Sequence, residues 1–469
     1  MHDSLSLGSL SALAHLVTLV SAGFSAGAAG SESLGDASQL ERGRDLHGLE
    51  FDVDLNTLLI ANLGIAITDS VLPLFSLDVE LAQGGSGPLD NVAAGAAYAL
   101  TVNIDGSDYQ VLFDTGSSDL FLAKHNFVCE DADGAPVEQY QCPLRAGPEA
   151  FSQGTIEDQL FNISYGDGSF ATGDFGYGTV SYGGITVSRQ QYALVNTAYW
   201  PHGNNFTSGI IGFAFPNNTA AYYTNPTRND HGNVPYNPWL FSAIDDGDIV
   251  PAQFTVGLYR RGKNDTNGSP GGFLALGGAP QPASLPYTGV WASSPIVPNT
   301  NADLGRLGDY LYYSFHPDGF TVNGEYIEWK PPTQKNIGPV PSVVDSGTPV
   351  SQLPLDVIEA IIRTFDPVPF PNPFANFWYF PPCNATPPEI SFRIGGKDFA
   401  INPRDVLLDD ALGENPDDGS CLLGFQPLFT SPDDPHPPTP IFGANFIRNA
   451  VVVHDLENLQ LIFGGVDWN

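Results

Sequence analysis

Two short segments each set an aspartate between apolar residues and a glycine: Phe113-Asp114-Thr115-Gly116-Ser117 and Val344-Asp345-Ser346-Gly347-Thr348. In each, an apolar run carries the carboxylate toward an interior. The glycine two positions on lets the backbone turn tightly and approach closely, and hydroxyl residues offer donors to a buried carboxylate. A second pair follows in the same order, Ile210-Ile211-Gly212 and Ile441-Phe442-Gly443, and 98 residues separate the Asp from the Gly in both halves. Two ordered matches at equal spacing argue for an internal duplication, with two homologous lobes each delivering one Asp-x-Gly loop. If a pseudo-twofold axis sets those loops face to face, Asp114 and Asp345 form a carboxylate pair. Adjacent carboxylates do not both ionise readily, so one proton is shared and the apparent pKa values of the pair separate. The shared state holds a base that activates a water and an acid that polarises a carbonyl, which suffices to hydrolyse an amide without a metal or a covalent intermediate.

The elements that must position these loops read as β. Tyr98, Leu100, Val102 and Ile104 alternate with small or polar residues, Asp105-Gly106 supplies a turn, and Tyr109, Val111 and Phe113 resume the alternation on a strand running into Asp114. Asn323-Gly324 marks another hairpin, between Phe320, Val322 and Tyr326, Trp329, ahead of Val343-Val344 and Asp345. Gly277-Gly278 and Gly395-Gly396 read as hairpin turns and not as phosphate loops, since neither opens a helix. One amphipathic helix is expected after Pro354, with Leu355, Ile358, Ile362 and Phe365 on one face and Asp366-Pro367 as its stop. The chain is therefore mainly β with a few short helices.

Composition bounds the partners. Charged residues make up 15% of 469 and apolar ones 42%, so disorder over most of the chain is excluded. Against 52 Asp and Glu stand 17 Lys and Arg, a net charge of -35, which speaks against nucleic acid and anionic membranes and suits work in acid, where protonation relieves self-repulsion. The apolar stretch around Leu10 to Val20, followed by small residues through Ala26-Gly27-Ala28, predicts a signal peptide over 1–28, with a disordered tail or a misplaced start as the alternative. No later stretch reaches the ~20 apolar residues of a spanning helix, and no membrane anchor is expected. Residues 29–75 read as a pro-segment, or else as an ordinary N-terminal strand and linker, and Leu74 to Leu81 read as a strand kept in the mature protein. Cys129 with Cys142 and Cys383 with Cys421 are close in sequence and lack metal-ligand spacing. Two disulfides worth ~3 to 4 kcal/mol each are expected, four buried thiols being the alternative. Six sequons, at Asn162, Asn205, Asn217, Asn264, Asn267 and Asn384, become glycan acceptors on a secreted chain. The nine His are scattered, and no metal or other cofactor is expected.

At the two Asp-x-Gly loops and the two Ile-x-Gly elements the chain resembles pepsin-family aspartic endopeptidases, of the secreted fungal kind, over about Leu74 to Asn469. Such proteases are the type case of the shared-proton pair. The resemblance implies an all-β, bilobal pepsin-like fold, with an N-terminal lobe at 76–283, a C-terminal lobe at 284–469 and a cleft between them. It implies that Asp114 and Asp345 hold the catalytic water. Thr115 and Ser346 would join the loops, Gly116 and Gly347 would turn them, and Ser117 and Thr348 would hydrogen-bond the outer carboxylate oxygens. It also implies a hairpin flap at Ile163 to Ser169, with Tyr165, Gly166 and Asp167 at its tip closing over substrate beside Phe121 and Ile210. Protein or peptide substrates, pepstatin-like inhibitors, a monomeric state and an extracellular or vacuolar location are implied as well.

Five features stand out against the family pattern. Phe121 occupies the place of a Trp that in many relatives hydrogen-bonds the flap Tyr, so flap closure is expected to rest on packing alone. Pro349 constrains the second loop, and Ser346 stands where Thr is commoner. Asp167 resembles fungal enzymes that accept Lys before the scissile bond, and its alternative is a turn Asp. The pro-segment carries only Arg42 and Arg44 to pair with the dyad. Two other readings of the carboxylates are a catalytically silent peptide-binding module on the same scaffold and a glycoside hydrolase.

Overall fold

The computed structural model describes residues 83–467, apart from 225–231, 263–264, 278–285, 301–305, 335–337, 373–377, 409–418 and 429–437. The leader and pro-segment expectations, the lobe boundary at 283, the strand near Leu74 to Leu81, Asn264, His231 and Gly278 lie outside the described residues.

Strands dominate the described chain and helices are short. The first hairpin pairs Ala97–Ile104 with Ser107–Asp114 through a turn in which Asp105 and Gly106 both have positive φ, the geometry that matches strand twist. Val102, Ile104, Val111 and Phe113 are buried on its inner face. The return strand delivers Asp114 and lies parallel to Gly209–Gly212, with Phe113 opposite Ile211 and Asp114 opposite Gly212. The outgoing strand Leu120–Cys129 then runs antiparallel to that same short strand. In the second half, Ser342–Val344 lies parallel to Ile441–Phe442, while Ser351–Leu353 leaves antiparallel to it. The duplicated motifs are thus duplicated structure: each Asp loop straddles a short strand that runs into a Gly, Gly212 in the first half and Gly443 in the second.

One sheet carries strands from both halves of the chain. Gln253–Leu258 pairs on one side with Ser269–Leu276 and on the other with Ala450–Asp455, which pairs in turn with Gln460–Val466. Beneath it, His454 is buried, stacked face to face on Phe254 at 4.1 Å and edge-on to Tyr313 at 4.5 Å. Asn323-Gly324 and Gly395-Gly396 both turn hairpins as expected.

The helix after Pro354 spans Leu355–Ile362 and buries Val357, Ile358, Ile361 and Ile362. Leu355, expected on the apolar face, is 48% exposed, because the buried stripe is centred between Ile358 and Ile361, about a quarter-turn from Leu355. Phe365 packs into the core from beyond the helix end. Both disulfides are present, Cys129 with Cys142 and Cys383 with Cys421, and no described cysteine is free.

Candidate active site

Asp114 and Asp345 meet across a set of paired hydrogen bonds. Oδ1 of Asp114 accepts the Gly116 N–H at 2.7 Å and Oδ2 accepts the Ser117 hydroxyl at 2.5 Å. Oδ1 of Asp345 accepts the Gly347 N–H at 2.7 Å and Oδ2 accepts the Thr348 hydroxyl at 2.6 Å. The loops are laced to each other by Thr115 and Ser346. Each donates its backbone N–H to the other's side-chain oxygen at 3.0 Å, and each hydroxyl donates to the opposite strand, Thr115 to the Val344 carbonyl and Ser346 to that of Phe113. A Cβ on Gly116 would stand 2.6 Å from Asp345 Cγ, and one on Gly347 would stand 2.5 Å from Asp114 Oδ1, so each glycine leaves room for the opposing carboxylate.

The Ile-x-Gly elements hold the loops from behind. Gly212 donates to the Asp119 carbonyl, Phe213 to that of Asp114 and Ala214 to that of Ser117. In the second half Asp345 donates to the Phe442 carbonyl and Ala444 to that of Thr348. Pro349 is accommodated in this frame, its carbonyl accepting the Asn445 N–H at 3.3 Å.

The two carboxyls are not equivalent. Asp114 is buried and Asp345 only partly so. Burial first, then the charge of Asp345, raise the Asp114 pKa to about 8 against the opposing bonds from Ser117 and Gly116. Tyr312, on the C-terminal half, lies near enough to both carboxyls that burial and then Asp345 push its hydroxyl up to about 12.

The hairpin of Thr155–Ser164 and Phe170–Tyr182 carries the expected tip. Tyr165 donates its N–H to Ser169 and accepts from Gly168, and Asp167 Oδ1 accepts the Ser169 N–H at 2.9 Å, so Asp167 closes the turn while remaining exposed. Gly166 has open space around it. The Tyr165 hydroxyl is buried without a hydrogen-bond partner among the described residues. Its ring meets Trp200 edge-on at 5.6 Å, and Trp200 in turn meets Phe121 edge-on at 5.8 Å. The aromatic partner of the flap is therefore Trp200, which sequence reasoning missed. Phe121 and Ile210, expected beside the substrate, are paired with each other on adjacent strands and buried in the core, where Phe121 backs Trp200.

A second buried carboxyl went unremarked in the sequence although it follows the first motif directly. Asp119 accepts the Tyr236 hydroxyl at 2.7 Å and the Ala220 N–H at 2.9 Å. Burial raises its pKa to about 7 in spite of those two donors.

The model of the family described as eukaryotic aspartyl protease matches residues 97–466. A probable aspartic-type endopeptidase of Aspergillus fumigatus is 30% identical over 385 residues, covering 81% of this chain and 81% of that protein. Secreted aspartic protease 3 of Candida albicans is 23% identical over 384 residues, again 81% of each. Among solved structures, the aspartic proteinase from Irpex lacteus superposes with a TM-score of 0.60 at 17% identity, covering 82% of this chain and 98% of its own. With the paired Asp loops, the flap and these likenesses together, the chain belongs to the eukaryotic aspartyl protease family, and it is an aspartic-type endopeptidase.

Proposed function

We propose that the protein is secreted and cuts proteins in acid by means of a water held between Asp114 and Asp345. The observation that carries the reading is the reciprocal lacing of the two loops, which leaves both carboxyls hydrogen-bonded by their own loop and facing each other. Asp114, the more buried, keeps the proton and polarises the scissile carbonyl. Asp345, the more open, is the partner that takes a proton from the water. Tyr165 closes over the bound peptide and sheds water from the cleft. Asp167, exposed at the flap tip, is available to a basic side chain before the scissile bond.

Secretion is supported by the two disulfides, which persist in oxidising compartments. It is also supported by the exposure of Asn162, Asn205, Asn267 and Asn384. Asn217 is the exception among the described sequons, being half-buried, with its side-chain oxygen accepting from the Arg306 guanidinium. A net charge of -35 favours a compact state at low pH.

The test is the rate of cleavage of denatured haemoglobin by the purified mature protein from about pH 2 to 7, with and without pepstatin. An acid-side maximum suppressed by pepstatin is expected, and no cleavage by a folded, matured sample would overturn the reading. A further expected result concerns the flap. Trp200→Leu removes the edge contacts to Tyr165 and Phe121 and is expected to lower kcat/KM roughly ten-fold, mainly through KM, as two aromatic contacts of about 0.5–1.5 kcal/mol each would suggest. Steady-state kinetics on a fluorogenic peptide would check it.

A further inference from the structure

We propose that Asp119 is a positioning residue which must carry a proton for the flap and the lip of the cleft to stay seated on the catalytic loop. It is tied into that loop by its backbone, whose carbonyl accepts the Gly212 N–H at 2.9 Å, and its side chain is 1% exposed. That side chain gathers three parts of the cleft. Ala220 and Tyr236 belong to the lip that follows Gly212, and Tyr236 packs edge-on against Phe175 of the flap strand at 5.3 Å. Above them sits Tyr165, close enough that the charges of Asp114 and Asp119 both bear on its hydroxyl.

The groups facing Asp119 can be named element by element. The lip presents the Tyr236 hydroxyl and the Ala220 N–H, and the flap presents Tyr165, on which Asp114 of the catalytic loop also bears. All are neutral or acidic, and no cation among the described residues pairs with Asp119. Burial therefore acts on the carboxyl with nothing but two neutral donors to oppose it. In acid the protonated carboxyl sits comfortably between Tyr236 and Ala220. Near neutrality its ionisation places a bare charge under the flap, beside the dyad, and hydrating that charge requires the lip to lift away. Stability from this group is present below the carboxylate's ordinary range and is lost as pH rises through its folded value, because the unfolded chain has already released the proton.

Asp119→Asn tests this, because the amide copies the protonated carboxyl: its oxygen can accept from Ala220 while its NH2 donates to the Tyr236 oxygen. The activity readout rests on the proposed acid endopeptidase reading, and the stability readout does not. In the parent protein Asp119 is expected to contribute a fall of Tm from about pH 4 to 7, and in Asp119→Asn that part of the fall should disappear, leaving the part due to Asp114. The loss of kcat/KM between about pH 4 and 7, relative to the parent, is expected to shrink about ten-fold and to do so through KM, whereas a change of dyad ionisation would act on kcat. Should Asp119→Asn fail to fold, Asp114→Asn serves as the second measurement. With the dyad silenced and Asp119 intact, its Tm should still fall over the same range. Pepstatin-sensitive cleavage with an unmoved neutral limb in Asp119→Asn, or a flat Tm profile in Asp114→Asn, would overturn the proposal. Absence of cleavage by the parent itself would instead sink the endopeptidase mechanism and leave the Tm test to decide the role of Asp119.

Discussion

Asp114→Asn and Asp345→Asn are each expected to lower kcat by about a thousand-fold or more, the upper range for loss of a positioned acid or base. The fold should survive both. Asn at 114 keeps the oxygen that accepts the Gly116 N–H, and the Ser117 hydroxyl can turn to accept from the new NH2; Gly347 and Thr348 offer the same at 345. What is lost is the sharing of one proton between two carboxyls, since an amide neither gives nor takes it. Single-turnover cleavage alongside a melting curve in acid separates chemistry from folding. A single Asn variant that stays folded and cleaves at the parent rate would remove the dyad from the mechanism.

The second large effect is on stability in acid and concerns a residue with no part in the chemistry. Burial between Phe254 and Tyr313 holds His454 down to about 3, against about 6.5 in the unfolded chain. Between those values the unfolded chain binds a proton that the folded one refuses. Stability from this site is whole above about pH 6.5 and is lost as pH falls toward 3, by up to roughly 5 kcal/mol. His454→Phe, which preserves the stack on Phe254, is expected to flatten this dependence. Overpacking by the larger ring costs about 1 to 3 kcal/mol at every pH and so does not change the slope. Melting temperatures of parent and variant from about pH 3 to 7 would check it, and parallel curves would show that His454 does not titrate with unfolding. Asp114 and Asp119 pull the other way, their raised values favouring the folded state in acid and penalising it toward pH 7 to 8. The protein is thereby squeezed from both sides toward a mildly acidic optimum of stability.

Features of the site that are local in sequence could be read from it. The turn at Asp105-Gly106 needs two residues tolerant of positive φ, and the Asp-x-Gly and Ile-x-Gly repeats keep their spacing because each serves one strand crossing. The absence of a Trp at Phe121 was equally visible. Its replacement was not, because Trp200 reaches Tyr165 only after Ile185–Tyr199 has folded back along the flap strand. Asp119 and Tyr236 are 117 residues apart, and no periodicity links a hydroxyl in a Pro- and Asn-rich lip to a carboxyl beside the first motif. Leu355 fell on the wrong side of its helix because its spacing to Ile358 and Ile362 fits two overlapping stripes, and only the core behind Val357 and Ile361 selects between them.

The strand Gln253–Leu258 has its edge covered by Ala450–Asp455, and the loop of Asp345 is backed by Ile441–Phe442. During synthesis, then, a nascent chain that has already exposed Asp114 and its flap still lacks the second carboxyl's scaffold, and it keeps lacking it until the residues around 441 to 466 have cleared the ribosome. The order of the chain thus makes the second Asp loop the last part of the paired site to gain its backing strand.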